Sequence, residues 1–220
     1  MKTISCALLL MAGLAFVVVG CSDNSTPIAG QALSTAASSG SLAKGGILNS
    51  ATGSAHWKSI PLSLQSNVRW SFSAIRHADG SVSGEVQDKD EGPTFSFHGK
   101  VTDLKVQGNI ARLEFVFTRG TYFGVPLADF YGGDLSNVFA WVVVVDNGEG
   151  NNASGPDYAS GILWGDDAEL QSILGTSVEE IRNMEVDEFN DWIQNEVLPF
   201  LGLTSDDFFL AVDKGSIQVR

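Results

Sequence analysis

The chain has 220 residues, of which 13 are Lys or Arg and 26 are Asp or Glu, so its formal net charge is -13 at pH 7. Such an acidic surface argues against nucleic acid and against anionic lipid as partners. Only two residues are cysteine, which excludes a disulfide-rich scaffold, so a folded domain in this chain must be stabilised by its core.

The N-terminal residues 1–20 have the pattern of a signal peptide. Lys2 supplies a positive start, and residues 4–19 form an apolar run that is shorter than the roughly 20 residues needed to span a bilayer. The sequence VVGC at residues 18–21 resembles the lipobox of bacterial lipoproteins. This resemblance implies cleavage before Cys21 and lipidation of its sulfur, which would hold the protein at a membrane; a buried cysteine is the alternative. Ser22 at the next position implies, by the same resemblance, an outer-membrane location.

Residues 21–46 are predicted to be the lipidated cysteine and a flexible tether. Their Ser-, Ala-, Thr- and Gly-rich composition has no periodicity and cannot bury enough apolar surface to fold. A tether of this length reaches on the order of 25–30 Å. Residues 47–220 remain for a single domain with a substantial core. Because Cys6 leaves with the signal peptide, the mature chain is predicted to contain no thiol pair.

The domain shows the period of two that is typical of half-buried strands. Val68, Trp70, Phe72 and Ala74 alternate with Arg and Ser. The same pattern recurs in residues 81–86, 94–106 and 111–118, and residues 208–213 and 216–220 flank a further short hairpin at Lys214-Gly215. Short strands separated by turns predict a mainly β fold, an antiparallel β-sandwich or barrel, and the pattern does not choose between the two.

Residues 120–135 interrupt the strand pattern with an aromatic loop. Tyr122, Phe123, Phe130 and Tyr131 lie there between glycines. Because loops positioned by a rigid scaffold often carry function, these four residues are predicted to bind a ligand, with simple packing of the rings as the alternative.

The segment Val138–Val145 is apolar on both faces, so the strand it predicts must be covered on both sides. Between residues 166 and 201 the apolar period changes from two to about 3.6. Asp166 three residues before Glu169 is a helix-start signature, and Ser177 repeats it. We expect a short helical insertion that packs on the sheet or caps its open end; an apolar helix face left exposed for a partner is the alternative.

A second loop, residues 146–157, follows that strand and is rich in oxygen ligands. Asp146, Asn147, Glu149 and Asp157 are residue types that calcium prefers, although their spacing is not that of an EF-hand. Asn and Gly are also common in tight turns. Three interpretations stay open: a structural turn, a calcium site, or direct contact with a sugar or peptide.

The segments FSAIRHADGSVSG, VVVVDNGEG and GSIQVR resemble an uncharacterised group of bacterial exported and lipid-anchored β-domain proteins. The resemblance covers roughly residues 50–160 and the last strand, and it implies a fold type but no activity. Asp103 stands where other members often have a cysteine, so no disulfide of that group is expected. The helical stretch 166–201 is longer than is usual for the group.

The sequence predicts no catalytic residues. His56, His77 and His98 lack the short spacing of zinc ligand pairs. The pattern favours a non-enzymatic binding or interaction module of the cell envelope that uses loops 120–135 and 146–157, with carbohydrate or an envelope protein as its partner. Two alternatives stay open: a hydrolase acting on polysaccharide, which needs two carboxyls in a cleft, and a carrier of a hydrophobic ligand beneath a helical lid.

Overall fold

A computed structural model describes residues 46–59, 66–89, 95–149 and 153–220. Strands account for 51% of the structure, in an antiparallel sheet that curls into a half-barrel and is accompanied by a few short helices. The predicted mainly β, antiparallel fold is therefore confirmed. The predicted signal peptide, Cys21 and the tether up to residue 45 lie outside the described residues. Within the described ranges, no helix is long and apolar enough to cross a membrane.

The sheet contains eleven strands. Their bounds are β1 (Ile47–Ser59), β2 (Ser66–His77), β3 (Val82–Lys89), β4 (Phe95–Gln107), β5 (Ile110–Tyr122), β6 (Val125–Pro126), β7 (Phe139–Val145), β8 (Tyr158–Ser160), β9 (Leu163–Gly165), β10 (Phe209–Ala211) and β11 (Lys214–Val219). Nine of them are hydrogen-bonded in the order β10-β8-β7-β5-β4-β3-β2-β1-β11, while β6 pairs with β5 and β9 with β7. Because β10 and β11 are consecutive in the chain, one short turn joins the two edges of the sheet.

The concave face of the sheet is filled by the side chains that the alternating pattern predicts. Val68, Trp70, Phe72 and Ala74 are all buried, and so are the inward residues of β5. The rings pack directly on one another: Phe97 stacks on Phe115 with centroids 5.4 Å apart and planes at 7°. Gly99 makes room for this stack, since a Cβ there would lie 2.4 Å from the Phe115 ring.

In the part of the chain that the structure describes, six short helices accompany the sheet. Their bounds are α1 (Leu127–Phe130), α2 (Asp167–Leu174), α3 (Val178–Asn183), α4 (Val186–Trp192), α5 (Leu198–Leu201) and α6 (Ser205–Phe208), with a π-helical turn at Ile193–Val197 between α4 and α5. The two predicted helix starts are confirmed, because Asp166 accepts a hydrogen bond from the Glu169 N–H and Ser177 forms a reciprocal capping box with Glu180. Pro199 sits in the first turn of α5.

The helices of the insertion pack on the convex face of β7. Trp141 and Val143 point away from the half-barrel interior and are buried under Leu170, Ile181 and Phe189. The expectation that Val138–Val145 is covered on both sides, with the helices as the cover, is confirmed. Burial on both faces explains why this strand carries no alternation.

A buried arginine joins the insertion to the sheet. The Arg112 side chain projects from the convex face of β5 and is fully buried. Its guanidinium donates hydrogen bonds to the carbonyls of Ile181, Arg182 and Met184, at distances of 2.8 to 2.9 Å. These carbonyls end α3, where a cation also meets the negative end of the helix dipole. Burial lowers the pKa of Arg112, and the Asp103 carboxylate opposes that shift.

Glu114 holds the same helix from the next convex position of β5. It is buried and accepts hydrogen bonds from the Trp141 indole N–H at 3.1 Å and from the Arg182 guanidinium at 2.9 Å. The bond to Glu114 raises the pKa of Arg182. Asp103 forms an ion pair with Arg76. Paired charges therefore fill the space between sheet and insertion.

Candidate functional site

The strands run between two ends of the half-barrel, which we call proximal and distal. The proximal end is where β1 begins at Ile47, opposite His77 at the end of β2. The distal end is where β4 begins at Phe95, opposite Tyr122 at the end of β5. Because neighbouring strands are antiparallel, the β4–β5 turn at Gly108 and the start of loop 146–157 lie at the proximal end, whereas loop 120–135 begins at the distal end.

Loop 120–135 opens with a tight hairpin between β5 and β6. Thr121 pairs with Pro126 and Tyr122 with Val125, which leaves Phe123 and Gly124 as a two-residue turn. Both central residues have positive φ, 50° at Phe123 and 79° at Gly124, as a type I′ turn requires. Glycine adopts this conformation freely, but phenylalanine does so at a cost in conformational energy.

Three of the four predicted ligand-binding residues meet at this hairpin. The Tyr122 ring lies 4.7 Å from the Phe123 ring and 6.3 Å from the Phe130 ring, centroid to centroid. Phe123 is 51% exposed and Val125 is 42% exposed, among the highest values for large apolar residues in the described chain. We call the surface formed by Tyr122, Phe123, Val125 and Phe130 the aromatic ridge.

The core of the half-barrel supports the aromatic ridge from below. The Tyr122 ring packs edge-on against Phe95, with centroids 6.1 Å apart. The next helix, α1, buries Leu127 completely beneath the hairpin. Gly120 allows this close approach, because a Cβ there would lie 2.5 Å from a Leu127 methyl group. The ridge is therefore a rigid extension of the core.

Tyr131, the fourth predicted residue, faces the opposite way. Its hydroxyl donates a hydrogen bond to the Glu169 carboxylate at 2.9 Å, and its ring packs against Trp164. It ties loop 120–135 to the start of α2. Tyr131 therefore packs within the molecule, as the alternative interpretation of the loop expects.

The aromatic ridge is a neutral surface. Residues 120–127 include no charged side chain, and the nearest charges in sequence are Arg119 and Asp129. Further along the loop, hydrogen bonds from the Ser136 backbone N–H and side chain hold the pKa of Asp134 below its ordinary value. The loop thus keeps a carboxylate in its second half and apolar groups at its tip.

Loop 146–157 uses its carboxylates inside the molecule. Asp157 accepts hydrogen bonds from the N–H of Asn147 at 2.9 Å and of Ile217 at 2.8 Å. Asp146 likewise accepts from the N–H of Gly148 and, at 3.0 Å, of Val219. Ile217 and Val219 belong to β11, whose other edge pairs with β1. The loop therefore supplies the acceptors that a further strand would otherwise provide.

Glu149 completes the contact with β11. Its carboxylate accepts hydrogen bonds from the Ser216 hydroxyl at 2.8 Å and the Gln218 amide at 3.0 Å, and these bonds lower the pKa of Glu149, with Gln218 as the larger cause. We call Asp146, Glu149 and Asp157 the carboxylate clasp.

The fourth predicted metal ligand, Asn147, is also engaged within the loop, since its amide donates to the Pro156 carbonyl at 2.6 Å. In the part of the chain that the structure describes, no group of three or more His, Cys, Asp or Glu residues is arranged to hold a metal ion. Calcium binding at this loop stays a prediction, in competition with the role of the clasp in closing the sheet.

A groove of about 510 Å³ on the helical insertion bears on the hydrolase alternative. It is lined by Met184, Trp192, Asn195 and the carboxylates of Asp187, Glu188, Asp191 and Glu196. The four acids follow one another at helical spacing, so they share one helix surface. Hydrogen bonds from the Gln107 amide and the Glu188 N–H lower the pKa of Asp187, which favours its ionised form over the protonated form of a general acid.

Comparison with known proteins adds no relative: no protein-family model, no curated protein and no solved structure matches the chain. The function must therefore be argued from the geometry. One ridge residue, Val125, was not among the predicted site residues. The sequence feature that could have identified Val125 as a surface residue is its position between glycine and proline, in an uncharged run that follows a strand.

Proposed function

We propose that this protein is a lipid-anchored protein of the bacterial envelope that acts as a non-enzymatic binding module, with the aromatic ridge as its contact surface. The observation that carries the proposal is Phe123, which is half exposed to water and held at a φ of 50°. Residues kept in unfavourable backbone conformations cluster at functional sites. The turn requires this φ, but asparagine or glycine would adopt it at lower cost than phenylalanine.

The build of the aromatic ridge supports a role in binding. Exposed aromatic side chains on a rigid support lose little conformational entropy when a partner covers them. Phe123 and Phe130 both lean on Tyr122, which rests on the core through Phe95. The ridge offers apolar area and one phenol, and these groups bind by contact rather than by transferring protons.

The packed interior favours a surface contact over a ligand carried inside the half-barrel. Phe97, Phe115 and Phe117 are all buried, and each ring contacts the other two at centroid distances of 5.2 to 5.5 Å. Rings in direct contact occupy the volume that a carried ligand would need.

The lipid anchor rests on the lipobox at residues 18–21. It is tested by growing cells with a labelled fatty acid and isolating the protein. Cys21→Ser should remove the label and release the protein from membranes, whereas Cys6→Ser, a matched change within the signal peptide, should alter neither. Label that persists in Cys21→Ser would contradict the anchor.

The contact surface is tested by photo-crosslinking in intact cells. Phe123 is replaced by the photoreactive p-benzoylphenylalanine, which keeps an aromatic ring at the position, and Leu48 is replaced in the same way as the control. Leu48 is 48% exposed at the proximal end. We expect an adduct from position 123, with envelope lipid or an envelope protein as identified by mass spectrometry, that weakens in Phe130→Ser, and none from position 48. Equal adducts at both positions, or none at 123, would overturn the proposal.

A further inference from the structure

The strand backbone on either side of the ridge turn is paired. Tyr122 and Val125 pair across the turn, and so do Thr121 and Pro126. Proline has no N–H to satisfy. This pairing lowers the cost of moving the flanks of the turn into an apolar environment, while the N–H and C=O groups of Phe123 and Gly124 call for the hydrated interface of a bilayer rather than its hydrocarbon core.

The side chains of the hairpin follow the same rule. Residues 120–127 carry no charge, and the Thr121 hydroxyl is paired with the Ser96 hydroxyl at 3.2 Å across the sheet. Tyr122 is the one remaining polar side chain, and tyrosine is enriched where apolar and aqueous environments meet. Beyond it project Phe123 and Val125, with no hydrogen-bonding group of their own.

From these observations we infer that the ridge's partner is the interface of a zwitterionic lipid bilayer, into which Phe123 and Val125 insert; this inference rests on the proposed function. A glycan presents many hydroxyl groups, and the ridge could hydrogen-bond to them only through the Tyr122 phenol. The formal net charge of -13 repels anionic lipid. The uncharged tip therefore fits a surface without net charge.

The length of chain outside the described domain allows this contact. From Ile47 at the proximal end, β1 extends to Ser59, and a strand of that length spans about 43 Å. The average reach of the predicted tether, about 25–30 Å, is shorter than this, but its residues 21–45 span about 80 Å when fully extended. A partly stretched tether therefore lets the distal end reach the bilayer that holds the lipidated cysteine.

The experiment uses the full-length lipidated protein and a fluorophore that reports the polarity of its surroundings. Cys6 and Cys21 are the only cysteines of the chain, and both are consumed by processing, so Val125→Cys provides a unique thiol beside an intact Phe123. Leu48→Cys is the matched control, because the two side chains are similarly exposed, 42% and 48%, at opposite ends. Each labelled protein is reconstituted into protein-free phosphatidylcholine vesicles, and also measured in native envelope membranes.

In phosphatidylcholine vesicles we expect a blue shift at position 125 and none at position 48. Adding Phe123→Ser should lower the ratio of inserted to free tip by about tenfold, because half of a buried phenylalanine is lost from the contact. Phosphatidylglycerol at low salt should weaken the shift, and salt should restore it.

Two other outcomes overturn the inference and separate it from the proposed function. A shift at position 125 in native envelope membranes but not in phosphatidylcholine vesicles excludes lipid as the partner and leaves the aromatic ridge as a site for an envelope protein. No shift in either membrane removes both the inference and the proposed function of the ridge.

Discussion

Loops 120–135 and 146–157 are both expected from sequence to contact a ligand, yet the structure uses them in opposite ways. The loop rich in oxygen ligands turns its carboxylates inward onto β11. The aromatic loop leaves Phe123 and Val125 in water. Where a strand edge has N–H groups to satisfy, nearby carboxylates are drawn into the fold. Apolar side chains cannot accept hydrogen bonds from the backbone and are not drawn into the fold in this way. Exposed apolar side chains are therefore better evidence of a binding surface than clustered carboxylates are.

The largest expected effect comes from breaking the clasp. Asp157→Ala leaves the N–H groups of Asn147 and Ile217 without their acceptors, and we expect a loss of about 2–4 kcal/mol in the free energy of unfolding. Denaturation by urea measures it. Asp129→Ala, an exposed carboxylate of the distal loop, is the control and should change stability by less than about 0.5 kcal/mol. Equal losses of unfolding free energy in Asp157→Ala and Asp129→Ala would contradict the different structural roles of the two loops.

A substitution in the aromatic ridge is expected to raise the free energy of unfolding. Phe123→Asn replaces a phenylalanine at a φ of 50° with a residue that tolerates this conformation, so we expect stability to rise by about 0.5–1 kcal/mol while the insertion signal from position 125 is lost. Val125→Asn, which lies in strand β6, removes a comparable apolar group without the conformational gain and should not stabilise. A destabilised Phe123→Asn would mean that the ring supports the fold.

A smaller effect is expected in the pH dependence of stability. Hydrogen bonds from Gln218 and Ser216 hold the pKa of Glu149 below its ordinary value of 4.5. A carboxylate with a depressed pKa in the folded state stabilises the fold above its unfolded pKa, and this contribution disappears as pH falls through the folded pKa. Glu149→Gln should therefore flatten the fall in melting temperature below pH 4.5, and Gln218→Ala should reproduce part of that change. An unchanged profile in both variants would contradict the contact.

Calcium gives the smallest expected effect. If the clasp serves to close the sheet, millimolar calcium should leave the melting temperature unchanged, and Asp146→Ala should lower it equally with and without the ion. A ligand that binds only the folded state raises the melting temperature with concentration. A calcium-dependent rise that Asp146→Ala removes would restore the metal site predicted from the sequence.

The sequence predicted correctly those features that depend on interactions between residues close together in the chain. Alternation along β2 and β5 identified the inward residues, and the Asp166 and Ser177 signatures identified two helix starts. Tyr131 was predicted to bind a ligand with the other three rings, and its different orientation could not be predicted, because it follows Phe130 at the end of α1 and consecutive residues of a helix point about 100° apart. A list of aromatic residues in a loop cannot show that one of them turns away from the others.

Contacts between distant segments could not be predicted. The acceptor at Asp157 and its donor at Ile217 are 60 positions apart, and neither carries a local signal of the pairing. Alternation places Arg112 and Glu114 on the convex face of β5, where charged residues suggest contact with water. The insertion that buries them comes about 70 residues later, so only the assembled fold reveals them as internal.

The last residue of the chain lies beside the first strand: Ser50 and Arg220 exchange two backbone hydrogen bonds of 2.8 Å each. Domains whose ends are neighbours tolerate circular permutation. A short linker from Arg220 to Gly46, with new termini cut between Gly132 and Gly133, would move the chain termini from the proximal end to loop 120–135. The acylated segment would then be joined to the domain beside Phe130. The choice between the natural and the permuted chain would thus set whether the aromatic ridge lies far from the lipid attachment or next to it.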